Sequence, residues 1–367
     1  MATTEPTFDE EQWESAARTL DAAAEALARG SFEAAGRMAE EAISVLREVV
    51  GDHHPDTANA LDTLGLVAAE LGRPREAIDH FRAALAIYDR YQTDEEDAAV
   101  VRPLRAQTRF NLGQHLSRLG DFAEAERLVR TAIAEAERAH GAASLPLASF
   151  HNGLGVLLRF AGRYREAASA YTRAEEIRTA HGQATPAVHC HNLSGLAAAE
   201  GHYAMAEEHA RRAIALREGD GDEGDMLLLG GDLCGLGDAL AGQDRHAEAE
   251  EAYRRALTLY ARSPRPQHPE VAYALHNLGD ALVALGRRHE AERVYRDSIA
   301  RKTAAFGGDH FEVAATLNNL AGLLSDEGRN EEARAASARA LAIVQQRLSP
   351  DHPVRKGCES LHRALSV

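Results

Sequence analysis

The chain has 367 residues, of which 45% are hydrophobic but only 5% are aromatic, and its formal net charge is −16. This acidity argues against nonspecific binding to nucleic acid or to an anionic membrane surface. The three cysteines are too sparse for a disulfide framework, the N-terminus lacks the apolar core of a signal peptide, and no stretch approaches the roughly 20 apolar residues that span a bilayer. We therefore expect a soluble, cytoplasmic protein.

The predicted elements, taken in chain order, repeat one unit of two helices around a tight turn. We call the helix before each turn A and the helix after it B. Successive turns are 42, 48, 42, 39, 43, 42 and 42 residues apart, and a period near 40 is typical of a solenoid. The eight turn positions are Gly30, Gly72, Gly120, Gly162, Gly201, Asp244, Gly286 and Gly328.

Small residues recur at fixed distances from every turn. Alanine stands five residues after all eight turns, and small residues also stand seven before and twelve after each one. Small side chains let the backbones of helices A and B approach closely. Since a single hairpin cannot bury its apolar face, neighbouring hairpins must stack. The residues seven before the turns are Ala23, Gly65, Gly113, Gly155, Ser194, Gly237, Gly279 and Ala321.

Residues 1–10 are predicted to form a disordered tail, residues 11–348 the repeat array, and residues 349–367 a C-terminal capping helix. The acidic segment 93–98, in the interval of 48 residues, is interpreted as a solvated insertion. Proline suits the first turn of a helix because its missing N–H has no partner there. We therefore expect A helices to begin near five prolines: Pro55, Pro103, Pro146, Pro186 and Pro269.

This pattern resembles the tetratricopeptide repeat in its small residue, turn glycine and two alanines. The period of 42 residues, the NLG tripeptides at 111–113 and 277–279, and the joints DHHP at 52–55 and DHP at 351–353 resemble the kinesin-light-chain variety. The resemblance implies an all-α, right-handed superhelical solenoid of about eight helix-turn-helix repeats plus a C-terminal capping helix. It also implies a concave groove lined by the A helices.

The positions 13, 10, 9, 6 and 2 before each turn share one arc of helix A, and the resemblance implies that this arc lines the groove. Its asparagines are Asn59, Asn111, Asn152, Asn192, Asn277, Asn318 and Asn319, and it also carries Tyr273 and His276. An amide can both donate to and accept from a peptide backbone. In the family, asparagine nine before the turn does this, and Asn111, Asn192, Asn277 and Asn319 match that slot. Alternatively, these amides bond neighbouring helices or face water.

The same arc is acidic. It holds one base, Arg118, against six acids: Asp21, Asp62, Glu70, Asp238, Asp280 and Asp326. Relatives that bind chaperones grip a terminal carboxylate with several basic residues, which this arc lacks. We therefore expect a protein or peptide partner with a neutral or basic segment, for which Asp238 and Asp280 supply selectivity.

His191, Cys234 and His276 occupy the same slot in successive repeats. Such residues can bind zinc or form a nucleophilic pair. However, neighbouring A helices lie about 8–10 Å apart, and no local ligand spacing supports a metal. We therefore expect no enzyme, cofactor or metal, but a protein-interaction scaffold that binds a peptide segment. The alternatives are a peptide-sensing regulator and, second, an enzyme or metal protein. The sequence leaves self-association open.

Overall fold

The computed structural model describes residues 9–91, 95–219, 226–263 and 268–366, and these ranges contain helices and turns but no strand. The chain divides into two compact units, Met1–Gly153 and Leu154–Val367. Most of the tail that we predicted over 1–10 lies outside the described residues. At its end the prediction is wrong, because Asp9 caps the first helix and Glu10 begins it.

The first unit consists of stacked helical hairpins: from the first helix to the sixth, each A helix packs against its own B helix, and each of the first two B helices packs against the following A helix. The boundary of the unit falls inside the seventh helix. The helices are α1 (Glu10–Ala28), α2 (Phe32–Val49), α3 (Pro55–Glu70), α4 (Pro74–Arg90), α5 (Glu95–Arg118), α6 (Phe122–His140) and α7 (Leu145–Phe160).

Within the second unit, from the ninth helix to the sixteenth, each A helix likewise packs against its own B helix, and the last helix packs against the two helices before it. No helix in the described residues is both long and apolar enough to cross a membrane. The helices are α8 (Tyr164–Ala180), α9 (Ala187–Ala199), α10 (Tyr203–Gly219), α11 (Met226–Ala241), α12 (His246–Arg262), α13 (Glu270–Ala284), α14 (Arg288–Phe306), α15 (Phe311–Asp326), α16 (Asn330–Arg347) and α17 (Pro353–Leu365).

All eight predicted turn positions adopt a left-handed backbone. The seven glycines have φ between 73° and 86°, and Asp244 has φ of 60°. A Cβ atom makes this conformation costly, which explains the preference for glycine. The prediction of a tight turn between each A and B helix is confirmed.

The small residue seven before each turn is matched in volume to the residue nine after it. At Gly65, Gly155, Gly237 and Gly279 an added Cβ would lie 2.4–2.5 Å from the ring of Phe81, Tyr171, Tyr253 or Tyr295, and at Gly113 it would lie 2.6 Å from Val129. Where the earlier residue is alanine or serine, the later one is also small, in the pairs Ala23 and Ala39, Ser194 and Ala210, and Ala321 and Ser337. The volume at each A–B contact is therefore shared between two helices.

Four histidines at the joints between repeats accept hydrogen bonds from the first N–H groups of helices, and three of them, His54, His310 and His352, are N-cap residues. The Nδ1 atoms of His54, His268, His310 and His352 accept the backbone N–H two residues further on, at 3.2–3.4 Å. Each imidazole therefore satisfies one of the N–H groups that a helix start leaves without an intrahelical partner. Only the joints at 52–55 and 351–353 were recognised in the sequence, as a family signature, and the capping role of their histidines was not predicted.

One expectation around the third repeat was wrong. Pro103 lies inside α5 and not at its start, because that helix already begins at Glu95. Residues 95–98, which we interpreted as part of a solvated insertion, form the first turn of α5. A longer helix therefore takes up extra residues of the long interval; residues 93 and 94 lie outside the described residues.

Candidate functional site

In the second unit, acids and amides on the A helices are linked from one repeat to the next. Asn277 Nδ2 of α13 donates to Asp238 Oδ1 of α11 at 2.7 Å. One repeat later, Asn319 Nδ2 of α15 donates to Asp280 Oδ1 of α13 at 2.8 Å. We call these four residues the acid–amide ladder. Its spacing follows from the repeat, since each asparagine stands nine before its turn and each aspartate six before.

Tyrosines of the B helices donate hydrogen bonds to the two aspartates of the acid–amide ladder. The hydroxyl of Tyr253 donates to Asp238 Oδ1 at 2.7 Å, and the hydroxyl of Tyr295 donates to Asp280 Oδ1. Both tyrosine rings are buried. Each hydroxyl binds one carboxylate oxygen, and both aspartates remain exposed to solvent. The aromatic residues that pack on Gly237 and Gly279 thus also orient the acids.

The two ladder acids differ in their electrostatic surroundings. Neighbouring protein atoms withdraw Asp238 from bulk water, which raises its pKa to about 6, and the negative charge of Asp280 adds to this effect. Hydrogen bonds from Tyr253 and Asn277 act in the opposite direction. Asp280 Oδ2 lies 3.6 Å from His276 Nε2. The positive charge of Arg159 also favours the ionised form of Asp238, and a further cation placed beside Asp238 would add to this effect.

In the first unit, Asn111 is buried and uses both ends of its amide within the protein. Its Nδ2 donates to Asp62 Oδ2 at 3.3 Å, and its Oδ1 accepts from Gln107 Nε2 at 2.9 Å. Burial raises the pKa of Asp62 to about 6. The amide of Asn111 therefore bonds a neighbouring helix, which was the alternative to peptide binding for the arc asparagines.

The remaining arc asparagines differ in exposure. Asn192 is buried, whereas Asn59 and Asn152 are half-buried. The Oδ1 atom of Asn318, next to the ladder, is buried and accepts no hydrogen bond from any described residue. The asparagines thus fall into different environments, although they occupy related positions in the sequence repeat.

The structure gives His191, Cys234 and His276 separate partners. His191 Nδ1 donates to the buried Asp232 at 2.9 Å, and Cys234 Sγ lies 3.8 Å from the hydroxyl of Tyr260. Burial raises the pKa of Cys234, which keeps its thiol protonated. Within the described ranges, no three His, Cys, Asp or Glu side chains are placed to share a metal ion.

His276 belongs to a buried polar network that the sequence analysis missed. Its Nδ1 lies 3.0 Å from Thr316 Oγ1, which also accepts from the fully buried Lys302 at 3.1 Å. Lys302 pairs with Glu312 at 3.0 Å and lies 4.8 Å from the centre of the Tyr273 ring. Burial and the charge of Lys302 lower the pKa of His276. The network therefore holds the side chains of Tyr273 and His276 in place. Its only signal in the sequence was Lys302, one of the two lysines of the chain.

Models of known families match most of the chain. A tetratricopeptide repeat model matches residues 14–90, 104–180 and 232–304, and a second one, of the kinesin-light-chain type, matches residues 313–354. Comparison with curated proteins finds no significant match. The family matches confirm the repeat type that the turn spacing and the joints predicted.

Several solved structures share the fold. A Rap protein complexed with Competence and Sporulation Factor is 12% identical over 96% of this chain and 97% of its own, with a TM-score of 0.63. The apo form of RapI is 15% identical over 78% of this chain and 97% of its own, with a TM-score of 0.57. NprR in complex with its cognate peptide NprX is 15% identical over 82% of both chains, with a TM-score of 0.56. At these identities the likeness shows the fold alone, a solenoid of helical repeats.

Proposed function

The chain belongs to the tetratricopeptide repeat family, and from this premise we propose that it is a non-catalytic scaffold that binds a peptide segment of a partner protein. The acid–amide ladder is the observation that carries this proposal. Its four side chains repeat in register, and each aspartate is held through a single oxygen. Groups that are already oriented lose little freedom when a ligand binds.

Within this proposal, the asparagines of the ladder contribute affinity and the aspartates contribute selectivity. One amide hydrogen of Asn277 and one of Asn319 are used on the aspartates, which leaves the carbonyl oxygens to accept backbone N–H groups of an extended ligand. Such contacts bind any sequence. Asp238 and Asp280 supply the preference for lysine or arginine, so the partner segment is neutral or basic. The scaffold acts in the cytoplasm.

The second candidate is a regulator that senses a small peptide. It is favoured by the solved Rap and NprR complexes, which hold Competence and Sporulation Factor and the peptide NprX on the same fold. The match to the Rap protein covers nearly the whole of both chains. In this role the ladder binds a free peptide and not a segment of a larger protein.

A display library of random twelve-residue segments tests the proposal. Wild type should enrich segments with lysine or arginine, and Asp238→Asn combined with Asp280→Asn should abolish this enrichment. The control Asp297→Asn removes an acid from α14 outside the ladder and should behave as wild type. Asn277→Ala should weaken all selected segments by about 1–3 kcal/mol. Enrichment of acidic segments, or equal selection by the double variant, would refute the proposal.

Crosslinking in cells with mass spectrometry separates the two candidates. A crosslink from the ladder to a segment of a large protein supports the scaffold. A crosslink to a free short peptide supports the regulator.

A further inference from the structure

The imidazole of His191, on α9, is held by a buried carboxylate of the next A helix, α11. Its Nδ1 donates to Asp232 Oδ1 at 2.9 Å, and the side chain of Asp232 has no exposed surface. The other oxygen of Asp232 accepts from Arg217 Nε. Because an ionised carboxylate only accepts hydrogen bonds, Nδ1 carries the proton of the neutral ring. Asp232 therefore sets both the orientation and the tautomer of His191.

The opposite edge of the same ring is open to solvent. The side chain of His191 is 37% exposed, and its Nε2 makes no hydrogen bond to any residue that the structure describes. In the neutral ring this nitrogen carries a lone pair and no proton, so it accepts hydrogen bonds. The other residues at this slot differ, since the thiol of Cys234 lies beside Tyr260 and His276 is less exposed. His191 thus presents an oriented acceptor.

This acceptor lies over the face of α11 that carries the first ladder acid. A Cβ built on Gly231 would lie 3.6 Å from His191 Cε1. Gly231 and Asp238 are seven residues apart, which is about two turns of α11, so they share one face and lie about 10 Å apart along the helix. Between them on this face stand Cys234 and Gly235, whose side chains are short. An extended chain covers this distance in about three residues at roughly 3.3 Å each.

We propose that His191 determines the specificity of the acid–amide ladder for a second ligand residue, by accepting a hydrogen bond from an uncharged hydroxyl; this inference rests on the proposed function. Asp238 binds the basic residue, and His191 binds a side chain about three residues away from it. Val188, one turn before His191 on α9, is 41% exposed and offers an apolar contact beside the imidazole. Threonine carries both a hydroxyl and a methyl group. The ligand is therefore a peptide with threonine about three residues from its lysine or arginine.

Six pools of hexapeptides with blocked termini and without aspartate or glutamate test this inference. Threonine, or the isosteric valine, is placed three residues after lysine, three residues before it, or directly after it. Affinity selection with mass spectrometry measures retention. In one of the two orders with three-residue spacing, wild type should retain the threonine pool about fivefold better than the valine pool, since a net hydrogen bond between uncharged groups contributes about that factor. The adjacent spacing should show no such preference.

His191→Phe should remove the preference for threonine but keep the preference for lysine. His191→Gln should keep part of it, because the amide oxygen of glutamine accepts hydrogen bonds. The control His202→Phe removes an exposed histidine next to the start of α10 and should behave as wild type. Thermal unfolding of every variant confirms that it is folded.

Asp232→Asn tests the positioning role of the buried carboxylate. An amide in its place can donate to Nδ1, which moves the ring proton of His191 to Nε2 and turns the acceptor into a donor. The preference for threonine should then be lost. Nitrogen NMR of the free protein should show an unprotonated Nε2 in the neutral His191 ring of wild type and a protonated one in Asp232→Asn. A protonated Nε2 in the neutral ring of wild type would refute the inference without any ligand.

The outcomes separate this inference from the proposed function. If wild type retains threonine and valine pools equally in both orders, or if His191→Phe keeps the preference for threonine, the role of His191 is refuted while binding of basic peptides stands. If wild type retains no pool and the display library also selects nothing, the proposed function fails and the role of His191 fails with it.

Discussion

Replacing Gly279 with alanine tests the volume matching between helices A and B. The new Cβ would lie 2.4 Å from Tyr295 Cε1 and 2.6 Å from Cδ1, whereas ordinary contacts begin at 3.4 Å. The ring therefore has to move by about 1 Å. It is 2% exposed, and its hydroxyl is bonded to Asp280. Overpacking of this kind costs about 1–3 kcal/mol, and the better helix propensity of alanine returns about 1 kcal/mol. We expect a net loss of stability.

Gly322→Ala is the matched control, because a Cβ there meets nothing within 4 Å. Both glycines lie inside A helices, so the propensity gain cancels in the difference between the two variants. Urea unfolding should therefore place Gly279→Ala about 1–3 kcal/mol below Gly322→Ala. In the background of Tyr295→Ala, which copies the natural pair Ala23 and Ala39, the two substitutions should have equal effects. Equal effects in the wild-type background would refute the volume matching.

Three further predictions concern stability. Asp62→Asn should stabilise the protein by about 1–3 kcal/mol at pH 7 but not at pH 4. The pKa of Asp62 is about 6 in the folded state and 3.8 in the unfolded state, so the wild type loses stability as the pH rises through this window. Equal unfolding midpoints of variant and wild type at pH 7 would contradict this prediction. Asp244→Gly should add about 0.5–1 kcal/mol, since it relieves the left-handed turn residue, and a lower melting temperature would count against this reasoning. Hydrogen exchange should be faster over 226–240 than over 270–284, because α11 carries four glycines and each interior glycine costs about 1 kcal/mol of helix stability; equal protection would be the contrary result.

The repeat and its hairpins could be predicted from the sequence because their causes are local and recur. A left-handed turn requires glycine at almost every copy, and close approach of two helices requires small residues at fixed distances from it. The volume matching was also visible in the sequence, since Ala39, Ala210 and Ser337 replace large residues only where the partner is not glycine. It is not apparent at a single offset, because it shows only when the residues seven before and nine after the same turn are compared.

The candidate site depended on tertiary structure for its partners. The arc identified Asp238 and Asn277 separately, but their hydrogen bond joins residues 39 positions apart and depends on how two repeats stack. Asn111 also donates to an aspartate, Asp62, but this pair is buried. Asp62 stands ten residues before its turn, whereas Asp238 and Asp280 stand six before theirs. The contact of Arg159 of α7 with Gly195 of α9 also depends on tertiary structure, because the long side chain reaches beyond the arc of its own helix. Spacing along the chain determined which residues share a helix face, whereas stacking and side-chain reach decided which of them meet.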